Sequence, residues 1–247
     1  MNERIINISK ILGVILILLS IVFLGLQAAG REFDAFGVKA AAMSLLVILY
    51  LVRIEKKNIL FLLFLVTYAI ADIYNYLTFS IYVPESINYD LHYLVCNALY
   101  GVAYLFLIFR IFSLMNIKKT LSRLPFQVAL LFALGTFVVY MITDLSNPEV
   151  MLDYEYEVEI LYNILIMFLV CLSLINYMYN DTRKSMNMLI GSICIIFSEV
   201  FQIAYYYITT YDVAISFAYS FFLIGAFACF YCQSKLVQEY NTVYESY

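Results

Sequence analysis

Two carboxylic acids, Asp72 and Glu199, sit deep inside long apolar segments of the chain. An ionisable group within a bilayer costs at least a few kcal/mol, so each marks a functional position by default. Polar side chains recur around both at helical spacing. Ser192, Glu199, Gln202 and Tyr206 fall along one stripe, as do Tyr68, Asp72, Asn75 and Tyr76. Tyr93, Asn97, Tyr100 and Tyr104 share a face of another segment, which opens with His92. Lys39 stands near the start of a further one, and Tyr162 with Asn163 one turn into yet another. Two acids in different surroundings can divide the roles of general acid and general base. Here Glu199 has apolar neighbours in Phe197, Val200 and Phe201, whereas Asp72 has Lys39 and Asn97 as possible partners. Such a pair suits a bond broken by protonation followed by water attack, through an oxocarbenium-like cation. Vinyl ethers and acetals break this way without a serine or cysteine nucleophile. Taken singly, Asn97, Asn163 and Gln202 read first as interhelical hydrogen bonds, each contributing roughly 0.6 to 2 kcal/mol. His92, at a segment end, reads as interfacial.

The elements that must position these groups are membrane helices. Of 247 residues 65% are apolar and 13% charged, and the charges cluster between long apolar runs. Crossing a hydrocarbon core takes roughly 20 apolar residues in a helix, because lipid offers the backbone no hydrogen-bond partner. Eight segments qualify, at about 11–29, 35–52, 58–81, 91–114, 124–143, 158–178, 186–208 and 213–232. The fold class expected is therefore all-α, a polytopic bundle forming one domain over 1–247. Loops are short and no Pro/Gly/Ser linker separates them. Orientation follows from Lys and Arg, which concentrate on the cytoplasmic side. With the amino terminus inside, eleven of the 14 bases (Arg4, Lys10, Arg53, Lys56, Lys57, Lys118, Lys119, Arg123, Arg183, Lys184 and Lys235) fall inside and only Arg31 outside. Both termini are then cytoplasmic. Arg110 is expected to snorkel to the inner surface. The outer connection from Asp144 to Glu159 carries six carboxylates and no base.

A cleaved signal peptide is the rival reading for the first segment, since Arg4 and Lys10 precede an apolar stretch ending in Ala28, Ala29 and Gly30. That stretch exceeds a usual signal core, and a retained span is expected. No tryptophan is present, so Tyr82, Tyr89, Tyr154, Tyr156, Tyr207 and Tyr211 are placed as an interfacial belt. The five cysteines lie in or at the ends of helices, which speaks for packing rather than a disulfide framework.

Depth links the two acids. Each lies about 13 residues from the cytoplasmic start of its segment, or about 20 Å into the membrane at 1.5 Å per residue. They are expected to face one another across a polar hollow that opens outward. Several chemistries fall away. A single histidine cannot build a multi-histidine metal site, and no Cys/His spacing suits zinc, so neither metal nor cofactor is expected. There is no phosphate-binding glycine loop and no nucleophile elbow. The scattered bases do not suit nucleic acid.

Short motifs spread from about Lys39 to Gln233 resemble the YhhN-like family, the eight-span lysoplasmalogenases. Lys39-Ala40 stands where that family opens its second helix with Lys-Pro, and Ala71-Asp72 where it carries Gly-Asp. Asn97 and Tyr100 are similar to a His followed three residues later by Tyr. Tyr162 and Met167 match positions of the sixth helix, Gly191 with Ser198-Glu199 a Gly followed by Ser-Asp, and Tyr231-Cys232-Gln233 the end of the last helix. Glu199 for Asp keeps the acid and adds a methylene; Asn97 for His removes a titrating group. The resemblance implies hydrolysis of the vinyl ether of a lysoplasmalogen, releasing a fatty aldehyde and a glycerophospho-base. It gives Asp72 and Glu199 as catalytic and Lys39, Asn97, Tyr100 and Tyr162 as substrate-binding, and Gln202, from the polar stripe around Glu199, is expected to bind substrate with them. The partners expected are a lysophospholipid and the bilayer, in a bacterial plasma membrane. The competing expectation is a lipid-binding or transport protein that keeps the fold without turnover. A proton-coupled carrier using the two acids as relays comes third, since neither acid has a helix-breaking Gly or Pro beside it.

Overall fold

The structure, a computed structural model, describes residues 3–79, 87–145, 153–208 and 212–236, with the side chains of 3, 4, 87–90, 153 and 207 outside that description. Apolar runs of this length satisfy their own backbone only as helices. Among the described residues they form α1 (Glu3–Ala28), α2 (Glu32–Arg53), α3 (Ile59–Phe79), α4 (Ile87–Phe112), α5 (Ile117–Arg123), α6 (Pro125–Leu145), α7 (Asp153–Asn180), α8 (Arg183–Ile203) and α9 (Val213–Lys235). All but α5 are long and apolar enough to cross a membrane. The eight-span, all-α reading therefore holds, and the chain is an integral multi-pass membrane protein.

Local chemistry sets the turns. Gly30, at φ +68°, ends α1 with the bonds Arg31 N to Leu26 O and Gly30 N to Gln27 O, the paired pattern of a left-handed helix stop. Thr182 and Ser185 cap α8 reciprocally, and Asp212 caps α9 by accepting from Ala214 N at 2.7 Å. α5 was not expected from the sequence. Asn116 starts it by accepting from Lys119 N, and seven polar-rich residues are too few to raise a hydropathy signal.

Neighbouring helices pack α2 on α3, α3 on α4, α4 on α7, α7 on α8 and α8 on α9. α1 lies against both α2 and α9, while α6 leans on α7. Six helices thus surround the interior, with α1 covering the seam between α9 and α2. The outward faces are apolar: Phe126, Phe132, Ile59 and Ile11 are among many exposed large side chains, as a lipid-facing surface requires. α1 is anchored by polar contacts as well, notably Ser216 Oγ to Gln27 Oε1 at 2.6 Å, both groups buried.

Toward the end that carries the eleven bases, called inner here, the interior is filled mainly by aromatic and aliphatic side chains. Phe64 stacks on Phe227 at 5.8 Å and meets Phe230 edge-on, with Phe61, Tyr50, Leu107, Ile111 and Met188 closing the gaps. Gly191 lets α8 approach α9 closely, because a Cβ there would come within 2.5 Å of Phe230 Cε1. Arg110 departs from expectation: it is buried, with its guanidinium carbon 5.9 Å from the Phe61 ring centre, so its stem packs inward instead of snorkelling out. Ser192 also departs. It is buried against Ser173 at 2.8 Å, joining α8 to α7, and takes no part in the polar stripe with Glu199.

Several boundaries moved: α1 begins at Glu3 rather than near 11, and α4 at Ile87 rather than near 91. α7 begins at Asp153 rather than near 158, which brings Glu155, Glu157 and Glu159 into its first turns. The final residues of the seventh span, Ala204–Ile208, form a π-helical turn. Of the tyrosine belt, Tyr154 is exposed and Tyr156 half-buried; Tyr82 and Tyr211, and the side chains of Tyr89 and Tyr207, lie outside the described residues.

Candidate functional site

In the half of the bundle away from the bases the interior opens into a cavity of about 660 Å³. Most of the residues singled out from the sequence meet there. Lys39 from α2, Asn97 and Tyr100 from α4, Tyr162 from α7, and Glu199 with Gln202 from α8 all line it. So do Tyr68, Asn75, Tyr93, His92 and Tyr206. The helical stripes explain this: positions three or four apart share a face, and on α3, α4, α7 and α8 that face turns inward.

Glu199 presents its carboxyl group to the cavity and is anchored from two helices. Tyr104 Oη donates to Oε1 at 3.1 Å and Tyr162 Oη to the same oxygen at 3.0 Å. Two phenols on one oxygen fix the side chain while leaving Oε2 out of those contacts. Ser198, the residue before it, donates to Tyr219 O at 3.2 Å and keeps α8 seated on α9.

Asp72 is placed differently from expectation. It is 2% exposed and does not line the cavity. Its Oδ1 lies 3.1 Å from Lys39 Nζ and accepts from Tyr100 Oη at 2.7 Å. Lys39 and Tyr100 therefore stand between Asp72 and the hollow, because the carboxylate is shorter than the two side chains that close over it. The ammonium of Lys39 is further held by a hydrogen bond to Tyr219 Oη at 3.1 Å, with the rings of Tyr68, Tyr100 and Tyr219 all within 5.8 Å. A charge pair so enclosed is fixed in position. The two acids are thus near one interior but unequal: Glu199 faces open space, whereas Asp72 orients the lysine that faces it.

Three cavity groups were missed at the level of sequence. Glu159, assigned to the acidic outer connection, is 8% exposed and faces inward from the second turn of α7. Tyr93 Oη donates to its Oε2 at 3.0 Å and Asn163 Nδ2 to its Oε1 at 3.2 Å. The spacing Glu159, Tyr162, Asn163 was the available signal, obscured by the run of acids ahead of it. Glu32, in the first turn of α2, lines the mouth and accepts from Tyr205 Oη, where the π-helical turn begins. Tyr219 shares a buried polar stripe with Ser216 and Ser220 on α9, a spacing present in the sequence and passed over. His92 is half-buried at the rim, 2.7 Å from Thr78 Oγ1, close to the interfacial position expected.

Among the described residues no group of three or more His, Cys, Asp or Glu side chains is arranged to hold a metal ion. The arrangement supplies a carboxyl group at Glu199, a fixed ammonium at Lys39, and a wall rich in phenol hydroxyls. Its volume lies within the range of small-molecule sites, about 300 to 1,000 Å³. Compared with family models, with curated proteins and with solved structures, the chain matches none.

Proposed function

We propose that the chain is a YhhN-like integral membrane hydrolase of the bacterial inner membrane that cleaves the vinyl ether bond of a lysoplasmalogen or a related ether lysolipid. The observation that carries this reading is Glu199, a membrane-depth carboxyl group held by Tyr104 and Tyr162 at the wall of a 660 Å³ cavity. Vinyl ether cleavage starts with proton delivery to carbon, and a carboxylic acid fixed on one oxygen is suited to it. Lys39, held by Asp72 and Tyr219, offers a positive charge for the phosphate, and Asn97, Tyr100 and Gln202 offer hydrogen bonds for the glycerol backbone.

The test is aldehyde release from lysoplasmalogen by the detergent-purified protein. Wild type is expected to release aldehyde, and Glu199→Gln to lower kcat by about 100-fold or more, the usual contribution of a positioned acid. Equal release by both would remove the role.

The π-helical turn at Ala204–Ile208, immediately after the Glu199 helix, favours a second reading, a lipid-binding or transport protein. Such turns are rare and fall frequently at functional sites, and this one carries Tyr206 into the cavity lining. This reading expects a lysolipid to co-purify and to remain intact on incubation. Mass spectrometry of the retained lipid before and after incubation separates the two.

A further inference from the structure

We infer that Glu159 is the second catalytic carboxyl group of the cavity, taking the proton from the attacking water. This inference rests on the hydrolase reading.

The chemistry demands a base, and the position of Asp72 removes the obvious one. Its Oδ1 is occupied by Lys39 and Tyr100, and those two side chains close it off from the cavity. Glu159 has what Asp72 lacks, a place in the lining of the same cavity as Glu199. The two are linked through one residue. Tyr162 donates to Glu199, and it lies three positions after Glu159 on α7, hence on the same face about 4.5 Å along the axis.

Glu159 is also held as a working group would be. Tyr93 reaches one oxygen from α4 and Asn163 the other from α7, and Asn163 is tied in turn to Thr143 of α6 at 3.1 Å. Thr143 and Asn163 are 3% and 4% exposed. α6 is otherwise largely lipid-facing, so this buried polar link is its most specific contribution.

The reaction then closes. Glu199 gives its proton to the alkenyl carbon remote from oxygen. The π pair forms the new C–H bond, leaving an oxocarbenium ion at the neighbouring carbon. Water adds to that carbon while Glu159 takes one of its protons, giving a neutral hemiacetal. Glu159 returns that proton to the ether oxygen as the bond to the glycerol oxygen breaks. The hemiacetal hydroxyl gives its proton to Glu199, so the aldehyde and the glycerophospho-base leave with both groups restored.

The experiment uses the full chain in detergent with 1-alkenyl-lysophosphatidylethanolamine, comparing wild type, Glu159→Gln, and Glu159→Ala with and without sodium formate. Expected are a kcat about 100- to 10,000-fold lower for Glu159→Gln, with KM nearly unchanged, and partial recovery of Glu159→Ala by formate occupying the vacated space. Undiminished kcat in Glu159→Gln, or a monodisperse Glu159→Ala that formate does not revive, overturns the inference while wild-type turnover keeps the hydrolase reading standing. Absence of aldehyde from wild type overturns both. Should the Gln variant fail to purify, Glu159→Asp replaces it. That substitution keeps the charge and withdraws it by one methylene, so a clear fall in kcat at constant KM is expected, and an unchanged kcat refutes the role.

Discussion

In the outer half of the bundle α2, α3, α4, α7, α8 and α9 turn lysine, carboxylates and tyrosines toward one another and leave space between them; in the inner half the same helices turn mainly phenylalanine and aliphatic side chains inward and pack them against one another. Helices in lipid gain little from apolar burial, since lipid tails are as apolar as their side chains, and they associate instead through close packing and hydrogen bonds. The inner half supplies that packing through rings such as Phe64, Phe227 and Phe230. Rigidity there lets the outer half keep charged groups around a hollow. Stability and chemistry are thus separated along the helix axis, and variants placed in the two halves should differ in kind.

The largest effect on stability is expected where a buried charge loses its partner. Asp72→Asn leaves the Lys39 ammonium without its counter-charge and should cost about 3 to 5 kcal/mol, seen as a lower Tm in detergent. Combining Lys39→Met with Asp72→Leu should recover much of that loss, since apolar replacement of a whole pair is far milder than removal of one partner. A double variant as unstable as the single one would show that the pair is not the organising contact.

The inner half is probed by Phe230→Ala. Loss of a fully buried ring between Phe64 and Phe227 should cost up to about 3 to 5 kcal/mol. Aldehyde release per folded molecule should stay unchanged. Glu199→Gln should show the converse, wild-type Tm with lost turnover, and a variant pair that failed this crossover would break the division between halves. Gly191→Ala tests the same packing more gently. Its added methyl must displace Phe230, for about 1 to 3 kcal/mol by thermal unfolding. Ser192→Ala removes one interhelical hydrogen bond to Ser173 and should cost only about 0.6 kcal/mol, with no effect on turnover. A large activity loss there would return Ser192 to the polar site.

Much of the site was legible because membrane helices make polarity conspicuous. Tyr100, Tyr162, Glu199 and Gln202 stand out against apolar neighbours at a spacing of three or four, and they do meet. Glu159 escaped notice for the opposite reason: it follows Asp153, Glu155 and Glu157, and a carboxylate among carboxylates reads as a solvated connection. Asp72 was legible as a buried acid but not as one enclosed by its own partners, because side-chain reach is decided by which residues of α2 and α4 stand opposite.

Hydropathy and the distribution of Lys and Arg by themselves determined eight membrane helices, and helical periodicity determined which side chains on each share a face, since both depend only on local chain geometry and transfer from water. Which acid meets open space and which is closed behind lysine and tyrosine was decided by the packing of α2, α3, α4, α7 and α8 around one another. That outcome depends on distances of a few ångströms between residues far apart in the chain, and no local pattern encodes them.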